Sequence, residues 1–219
     1  MLVAQKQGVD PSPIGLDPNP ELRREWELLL LDVARVRAWE RLLFVACGDG
    51  WIAEEASRRA LRGFACGVDR APQQVARATE LRGVTGRLEF KTWEGARLPC
   101  LAQSFHRVFS TFALAQCADP ALLLREMQRV LQPGGELYLL ELERQPARAE
   151  GTGASGASRA PGMLAAALSE AGFADTMELV RRVAADGRGA VIGVIVRARA
   201  AVPSAPARPV AQEAVPPAA

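Results

Sequence analysis

Between Leu42 and Leu142 the chain alternates short apolar runs with segments of helical periodicity. The apolar runs have the length of strands and lie at residues 42–46, 64–69, 87–93, 107–113 and 136–142. The helical patterns lie at residues 51–63, 71–83 and 120–135. Strands that alternate with helices favour right-handed βαβ units and a parallel sheet. Two later apolar segments, 172–182 and 190–200, follow a helical pattern at 163–173 and are predicted to close the sheet. The predicted fold class is α/β, with a doubly wound, mostly parallel seven-stranded sheet, an antiparallel closing strand pair and helices on both faces.

Irregular segments are predicted on either side of this domain. Residues 1–20 are polar and hold four prolines, so they are predicted to form an irregular arm. Asn19 can cap a first helix that begins at Pro20. Residues 201–219 hold five prolines and no aromatic residue, and we predict that they are disordered. A single domain is therefore expected at residues 21–200, with a Gly/Ser-rich loop at 145–161 that could serve as part of a substrate lid.

Composition excludes several classes of protein. Apolar residues make up 49% of the 219, enough for the core of one domain. The formal net charge is only +2, which predicts no nucleic-acid partner. Four cysteines without a CxxC pair and a single histidine, His106, predict no metal site. The longest apolar run is far shorter than the roughly 20 residues of a membrane span, so we expect a cytoplasmic protein with reduced thiols.

A glycine turn follows the first predicted strand. Gly48 and Gly50 begin a GxGxxA pattern that leads into a helix, and Asp69 ends the second strand 19 residues after Gly50. Glycines let the backbone approach a ligand, and the helix N-terminus offers free N–H groups to an anion. An aspartate at this distance is suited to accept hydrogen bonds from ribose hydroxyls. Taken alone, the turn fits a nucleotide site, an NAD-dependent oxidoreductase, or a tight turn that binds nothing.

The segments FVACGDG, GVD, TWEGARLPCLAQSFHRV and VLQPGGELYLLEL together resemble the class I S-adenosylmethionine-dependent methyltransferases. The nearest likeness is to small-molecule enzymes of the ubiquinone/menaquinone-biosynthesis type. The resemblance is close over residues 42–142, and the closing strand pair extends it to about residue 199. It implies a Rossmann-like methyltransferase domain at residues 21–200, with S-adenosylmethionine as cofactor and a small molecule as methyl acceptor.

The resemblance also implies which residues form the site, at the carboxyl ends of the parallel strands. Those that would line the methionine part of the cofactor are Ala46, Cys47, Gly48 and Gly50. Those that would bind the nucleoside are Asp69, Arg70, Glu94 and Gly95. Those that would lie near the sulfonium and the acceptor are Ser110, Thr111, Phe112 and Gln116. No residue is assigned as a catalytic base.

Several of these positions have a second interpretation. Asp69 would accept from the ribose hydroxyls and Glu94 from the adenine amino group. The Arg70 guanidinium can stack on a purine, or it can be a solvated surface charge. Gln116 could contact the acceptor, or it could serve only to pack the start of a helix. His106 is not assigned as a base, because it precedes the fourth predicted strand, at the end remote from the site.

One residue departs from the family pattern. Phe44 stands two residues before Ala46, where relatives carry Asp or Glu. Strand alternation predicts that Phe44 and Ala46 face the same side, so that an aromatic ring replaces a carboxylate beside the cofactor's amino group. Loss of such a hydrogen bond would cost about 1.5–3 kcal/mol. Alternatively, Phe44 packs the strand against a helix while backbone carbonyls hold the ammonium.

Three functions therefore remain open from the sequence. The first is methyl transfer from S-adenosylmethionine to a small-molecule nucleophile by in-line displacement. The second is a degenerate, non-catalytic relative that acts as a binding or scaffold module, an interpretation motivated by Phe44 and by the missing base. The third, an NAD-dependent oxidoreductase, depends on the GxGxxA turn alone.

Overall fold

The computed structural model describes residues 20–94, 97–144, 161–185 and 190–202. The α-helices within these ranges are α1 (Pro20–Ala34), α2 (Trp51–Arg59), α3 (Pro72–Arg82), α4 (Pro120–Val130) and α5 (Pro161–Glu170). The strands are β1 (Arg41–Val45), β2 (Phe64–Asp69), β3 (Leu88–Thr92), β4 (Phe105–Thr111), β5 (Leu131–Arg144), β6 (Phe173–Ala185) and β7 (Ala190–Ala200). A short 3-10 helix, Leu114–Gln116, follows β4. Three predicted segments lie outside the described residues. They are the arm at 1–20 except Pro20, the loop at 145–161 except Pro161, and most of the tail.

The strands form one seven-stranded sheet in the order β3-β2-β1-β4-β5-β7-β6. The neighbours from β3 to β5 pair in parallel, with Phe44 opposite Gly67 on one side and opposite Phe109 on the other. Strand β7 pairs antiparallel with both β5 and β6. The predicted fold class is therefore confirmed. The order of the parallel strands reverses direction at β1, so the carboxyl ends of β1 and β4 flank a crevice that suits a ligand.

Two apolar clusters cover the two faces of the sheet. Helices α1 and α2 supply Trp26, Leu30, Ile52 and Ala56 to one cluster, where they pack on Phe44, Phe109 and Tyr138. Helices α4 and α5 supply Leu124, Met127 and Leu168 to the other, against Leu43, Val108 and Leu139. Neighbouring residues of a strand enter opposite clusters, as the period of two requires.

The predicted boundaries are wrong at two places around β4 and β5. Helix α4 ends at Val130 rather than at Gly135, because Leu131 already pairs with Phe105 in the sheet. Gly134, three residues after Leu131, has a positive φ of 74°. The pairing of β4 with β5 shifts register between Phe105 and Arg107. Strand β4 begins at Phe105 and ends at Thr111, because Phe112 adopts a left-handed backbone with φ of 59°.

Candidate active site

The residues predicted to bind a cofactor meet at one edge of the sheet. Ala46 follows β1, Asp69 ends β2 and Thr111 ends β4, and these three strands are parallel neighbours. Both Ala46 and Phe112 have a positive φ, 58° and 59°, so the chain turns sharply away from the sheet at each point. Loops that leave parallel strands at their carboxyl ends form the ligand crevice of open α/β sheets.

The Asp69 carboxylate links β2 to the glycine turn. Its Oδ2 accepts a hydrogen bond of 2.8 Å from the Gly48 backbone N–H, and its Oδ1 accepts one of 2.9 Å from Ala71. Gly48 and Gly50 both adopt left-handed backbone conformations, with φ of 54° and 78°. Helix α2 begins at the next residue, Trp51. The turn therefore places a carboxylate and a helix N-terminus side by side.

Phe90 of β3 explains why small residues are needed next to the turn. A Cβ on Gly50 would lie 2.5 Å from the Phe90 ring, and one on Gly67 would lie 2.6 Å from it. The Cys47 Sγ would be 2.8 Å from that second Cβ. The Cys47 side chain is thus turned into the core, with 4% of the residue exposed, and burial raises the pKa of its thiol. Cys47 offers the crevice its backbone rather than a nucleophile.

Arg70 and Trp93 lie together at the end of β2. The Arg70 guanidinium carbon is 5.7 Å from the centroid of the Trp93 ring, a cation–π contact. The Trp93 backbone N–H donates to the Asp69 carbonyl over 2.8 Å, which holds Trp93 beside the end of β2. Trp93 is buried, and its indole Nε1 has no hydrogen-bond partner among the residues that the structure describes. Glu94 is exposed next to it, and Gly95 lies outside the described residues.

Residues at the end of β4 form the other wall. Ser110 and Thr111 are buried, and within the described part of the chain the Ser110 hydroxyl has no hydrogen-bond partner. Phe112 is buried as well. Gln116 is exposed on the 3-10 helix. Glu141 of β5 anchors that helix, because its Oε1 accepts from the Leu114 N–H over 3.1 Å.

Phe44 does not line the crevice. The residue is 1% exposed and packs in the cluster beneath α1 and α2, whereas Ala46 packs against the cluster on the opposite face. The prediction that Phe44 and Ala46 face the same side is wrong, because β1 ends at Val45 and the positive φ of Ala46 breaks the alternation. The alternative, in which Phe44 packs the strand against a helix, is the one observed.

His106 lies at the opposite edge of the sheet, as the second residue of β4. Its Nδ1 accepts a hydrogen bond of 3.0 Å from the Arg41 N–H, and burial lowers its pKa. A groove of about 750 Å³ opens at that edge, with Phe64, Cys66 and Cys100 in its lining. None of the predicted site residues lines this groove. His106 therefore supports the start of two strands and is remote from the crevice.

Helix α1 brings two charged residues to the crevice that were not predicted from the sequence. The Arg23 guanidinium carbon lies 5.4 Å from the centroid of the Phe112 ring, and Arg23 Nη2 lies 3.9 Å from the position that a Cβ on Gly48 would take. Glu27 is 4% exposed and accepts from Arg23 Nε over 3.0 Å. The sequence offered only a weak indication of their role, because Arg23 and Glu27 are simply an oppositely charged pair four residues apart on the same helix face as the buried Leu30.

Residues 43–139 match a family whose description is a methyltransferase domain. The chain is 32% identical over 129 residues to the ubiquinone/menaquinone biosynthesis C-methyltransferase UbiE of Pseudomonas putida, covering 56% of this chain and 50% of the relative. It is 34% identical over 129 residues to the demethylmenaquinone methyltransferase of Thermus thermophilus, covering 58% of each. A crystal structure of a SAM-dependent methyltransferase from Aquifex aeolicus has the same fold, with a TM-score of 0.63 and 21% identity over 87% of this chain and 99% of that one.

These matches confirm the recognition made from the sequence. The matched region is similar to methyltransferase domains and to the quinone-biosynthesis methyltransferases, and its fold is that of a SAM-dependent methyltransferase of known structure. The chain spans about half the length of the curated relatives that it matches.

Two further observations concern metals and membranes. Across the ranges that the structure describes, no three His, Cys, Asp or Glu side chains are grouped so that they could hold a metal ion. Within the same ranges, no helix has both the length and the apolar character needed to cross a membrane.

Proposed function

We propose that this protein transfers a methyl group from S-adenosylmethionine to a small-molecule nucleophile by in-line displacement. The observation that carries the proposal is the contact between Asp69 and the glycine turn. The carboxylate ends β2 and lies 2.8 Å from the Gly48 N–H, across the crevice where open α/β sheets bind nucleotides. A ribose needs such an acceptor, and the methionine part needs the close backbone approach that Gly48 and Gly50 allow.

The unsatisfied polar atoms near the crevice support this fit. Buried hydroxyl and indole groups are rarely left without a partner, yet neither Ser110 Oγ nor Trp93 Nε1 has one in the described ranges. In the proposed arrangement Asp69 accepts from the ribose hydroxyls, Arg70 and Glu94 contact the adenine, and Thr111 lies beside the sulfonium. Phe112 and Gln116 face the acceptor. These assignments extend the family resemblance to this chain residue by residue.

When bound, S-adenosylmethionine supplies a methyl group that its sulfonium already activates. The residues of the protein then have to align the acceptor with that methyl group and exclude water. Neither the Cys47 thiol nor His106 can serve as base, because the first is turned into the core and the second lies at the far edge of the sheet. We therefore propose an acceptor that can lose its proton to water without a dedicated base, such as the reduced form of the demethylmenaquinone that the name of one relative gives.

Binding of ligands tests the proposal first. We expect S-adenosylmethionine and S-adenosylhomocysteine, but not NAD, to raise the melting temperature of the protein. A ligand at 100 times its dissociation constant stabilises the folded state by about 2.7 kcal/mol. Asp69→Asn should abolish that shift. The matched control is Asp175→Asn, which changes an exposed aspartate on β6.

Turnover is the second test. The protein with S-adenosylmethionine and a demethylated hydroquinone should release S-adenosylhomocysteine, and Asp69→Asn should not. Binding without turnover over a panel of ionisable acceptors would favour the non-catalytic binding module. A shift with NAD alone would favour the oxidoreductase, and no shift with saturating S-adenosylhomocysteine would refute the methyltransferase proposal.

A further inference from the structure

The first turns of α1 lie across the candidate crevice. Arg23 contacts the Phe112 ring, which follows β4, with 5.4 Å between its guanidinium carbon and the ring centroid. The next residue, Arg24, makes the same kind of contact with Trp51 at the start of α2, over 5.5 Å. Arg23 Nη2 also comes within 3.9 Å of the position that a Cβ on Gly48 would occupy. Helix α1 thus brings a cation to the point where the loops after β1 and β4 face each other.

One helical turn further on, Glu27 adds an anion to the same surface. Only 4% of Glu27 is exposed, and its Oε1 accepts a hydrogen bond of 3.0 Å from Arg23 Nε. Burial raises the pKa of the Glu27 carboxyl, and the charge of Asp49 in the glycine turn raises it further, whereas Arg23 lowers it. Burying a charged carboxylate lowers the free energy of unfolding, and replacing a buried charged group by a neutral one often stabilises a protein. Its position therefore calls for an explanation other than stability.

The chemistry of the cofactor supplies that explanation. The amino-acid end of S-adenosylmethionine is a zwitterion, with one ammonium and one carboxylate group. The family pattern places an acid for the ammonium on β1, but Phe44 occupies that position and is buried in the core. Arg23 lies near Gly48 of the glycine turn and Glu27 is paired with it, so the two side chains supply one positive and one negative group, the pair that a zwitterion complements.

We propose that Arg23 and Glu27 bind the amino-acid end of the cofactor, and that Glu27 takes over the role of the acid missing from β1. Glu27 accepts from the ammonium group, and Arg23 donates to the carboxylate. This assignment rests on the proposed function, since it concerns the same ligand. If Arg23 and Glu27 hold the cofactor, its binding also fixes α1 against the loop after β4. Helix α1 then closes one side of the crevice.

A comparison of two ligands isolates this contact. S-adenosylhomocysteine carries the amino-acid end, whereas 5′-methylthioadenosine has the same adenosine and thioether without it. In calorimetric titrations, Glu27→Gln and Arg23→Gln should each lower the affinity for S-adenosylhomocysteine by about ten- to hundredfold. Both variants should leave the affinity for 5′-methylthioadenosine unchanged. The matched control is Glu25→Gln on the same helix, which changes an exposed residue paired with Arg182 and should alter neither affinity.

The outcomes separate this inference from the proposed function. If wild type binds neither ligand, the S-adenosylmethionine site itself is wrong, and this inference is overturned along with it. If wild type binds S-adenosylhomocysteine but Glu27→Gln leaves its affinity unchanged, only the role of Glu27 is refuted. Equal losses for both ligands, together with a lower melting temperature, would show that Glu27 merely supports the fold. A Glu27→Gln variant that melts no lower than wild type, yet has lost its preference for S-adenosylhomocysteine, is the expected result.

Discussion

Phe44 lies face to face with Phe109 in the centre of the sheet. Their ring centroids are 4.8 Å apart and their planes differ by 7°, and Phe109 stacks in turn on Tyr138 at 5.4 Å. These three residues occupy facing positions on β1, β4 and β5, so they form a ladder of aromatic rings beneath α1. The ladder explains why an aromatic residue stands where the family resemblance predicts an acid.

Phe44→Asp should therefore unfold the protein rather than improve cofactor binding. The change removes a buried aromatic side chain, which costs about 3–5 kcal/mol, and it adds an unpaired buried carboxylate. Phe44→Leu keeps the apolar character and should cost less. Urea unfolding followed by circular dichroism measures both. A folded Phe44→Asp protein with tighter binding of S-adenosylhomocysteine would show that position 44 faces the cofactor after all.

Gly193 of β7 determines how α1 lies on the sheet. A Cβ at this position would overlap the six-membered ring of the Trp26 indole. Gly193→Ala should destabilise the protein by about 1–3 kcal/mol through overpacking, and should weaken S-adenosylhomocysteine binding because α1 also carries Arg23 and Glu27. Adding Trp26→Leu should recover part of the lost stability, as a double-mutant cycle can measure. If the losses of stability in the two single variants simply add in the double variant, Gly193 and Trp26 are not in direct contact.

A buried ion pair joins β4 to the segment before β1. Arg107 Nε lies 3.0 Å from Glu40 Oε1, Arg107 also donates to the Ala34 carbonyl, and Glu40 Oε2 accepts from the Arg37 N–H over 2.9 Å. Arg107→Met should cost about 3–5 kcal/mol, because Glu40 then remains buried without a counter-charge. The double variant with Glu40→Gln should recover much of this loss in urea unfolding. If the single and double variants are equally unstable, the charge is not the cause.

The buried carboxyl of Glu27 should make stability depend on pH. Its pKa is raised from an ordinary value of 4.5, chiefly by burial and also by Asp49, against the opposing charges of Arg23 and Arg24. The folded state therefore holds this proton more tightly than the unfolded state does. The resulting stabilisation is fully present below pH 4.5 and is lost as pH rises through the folded pKa.

Glu27→Gln should remove that dependence. The free energy of unfolding of this variant, measured against wild type in urea from about pH 4 to about pH 8, should become relatively more favourable as pH rises. The difference between the two proteins isolates Glu27, because the remaining titrating groups are shared. Parallel curves would show that the Glu27 pKa does not change on folding.

The local periodicity of apolar residues predicted much of the fold. The alternation of short apolar runs with helical segments is enough to predict the seven strands, because burial on both faces of a parallel sheet leaves a signature within each strand. The boundary errors occurred where tertiary contacts override local preference. Leu131 looks like the end of a helix, yet it pairs with Phe105, a partner 26 residues earlier.

The sequence by itself determined the glycine turn, the acid at the end of β2 and the order of strands and helices, since each is encoded by neighbouring residues. Only the tertiary structure decided which side chains meet in the crevice. Phe44 packs in the core against Phe109, and Arg23, paired with Glu27, comes close to Gly48 because Trp26 packs α1 on Gly193. Contacts between residues so far apart in the chain depend on how helices pack on the sheet, which no local pattern records.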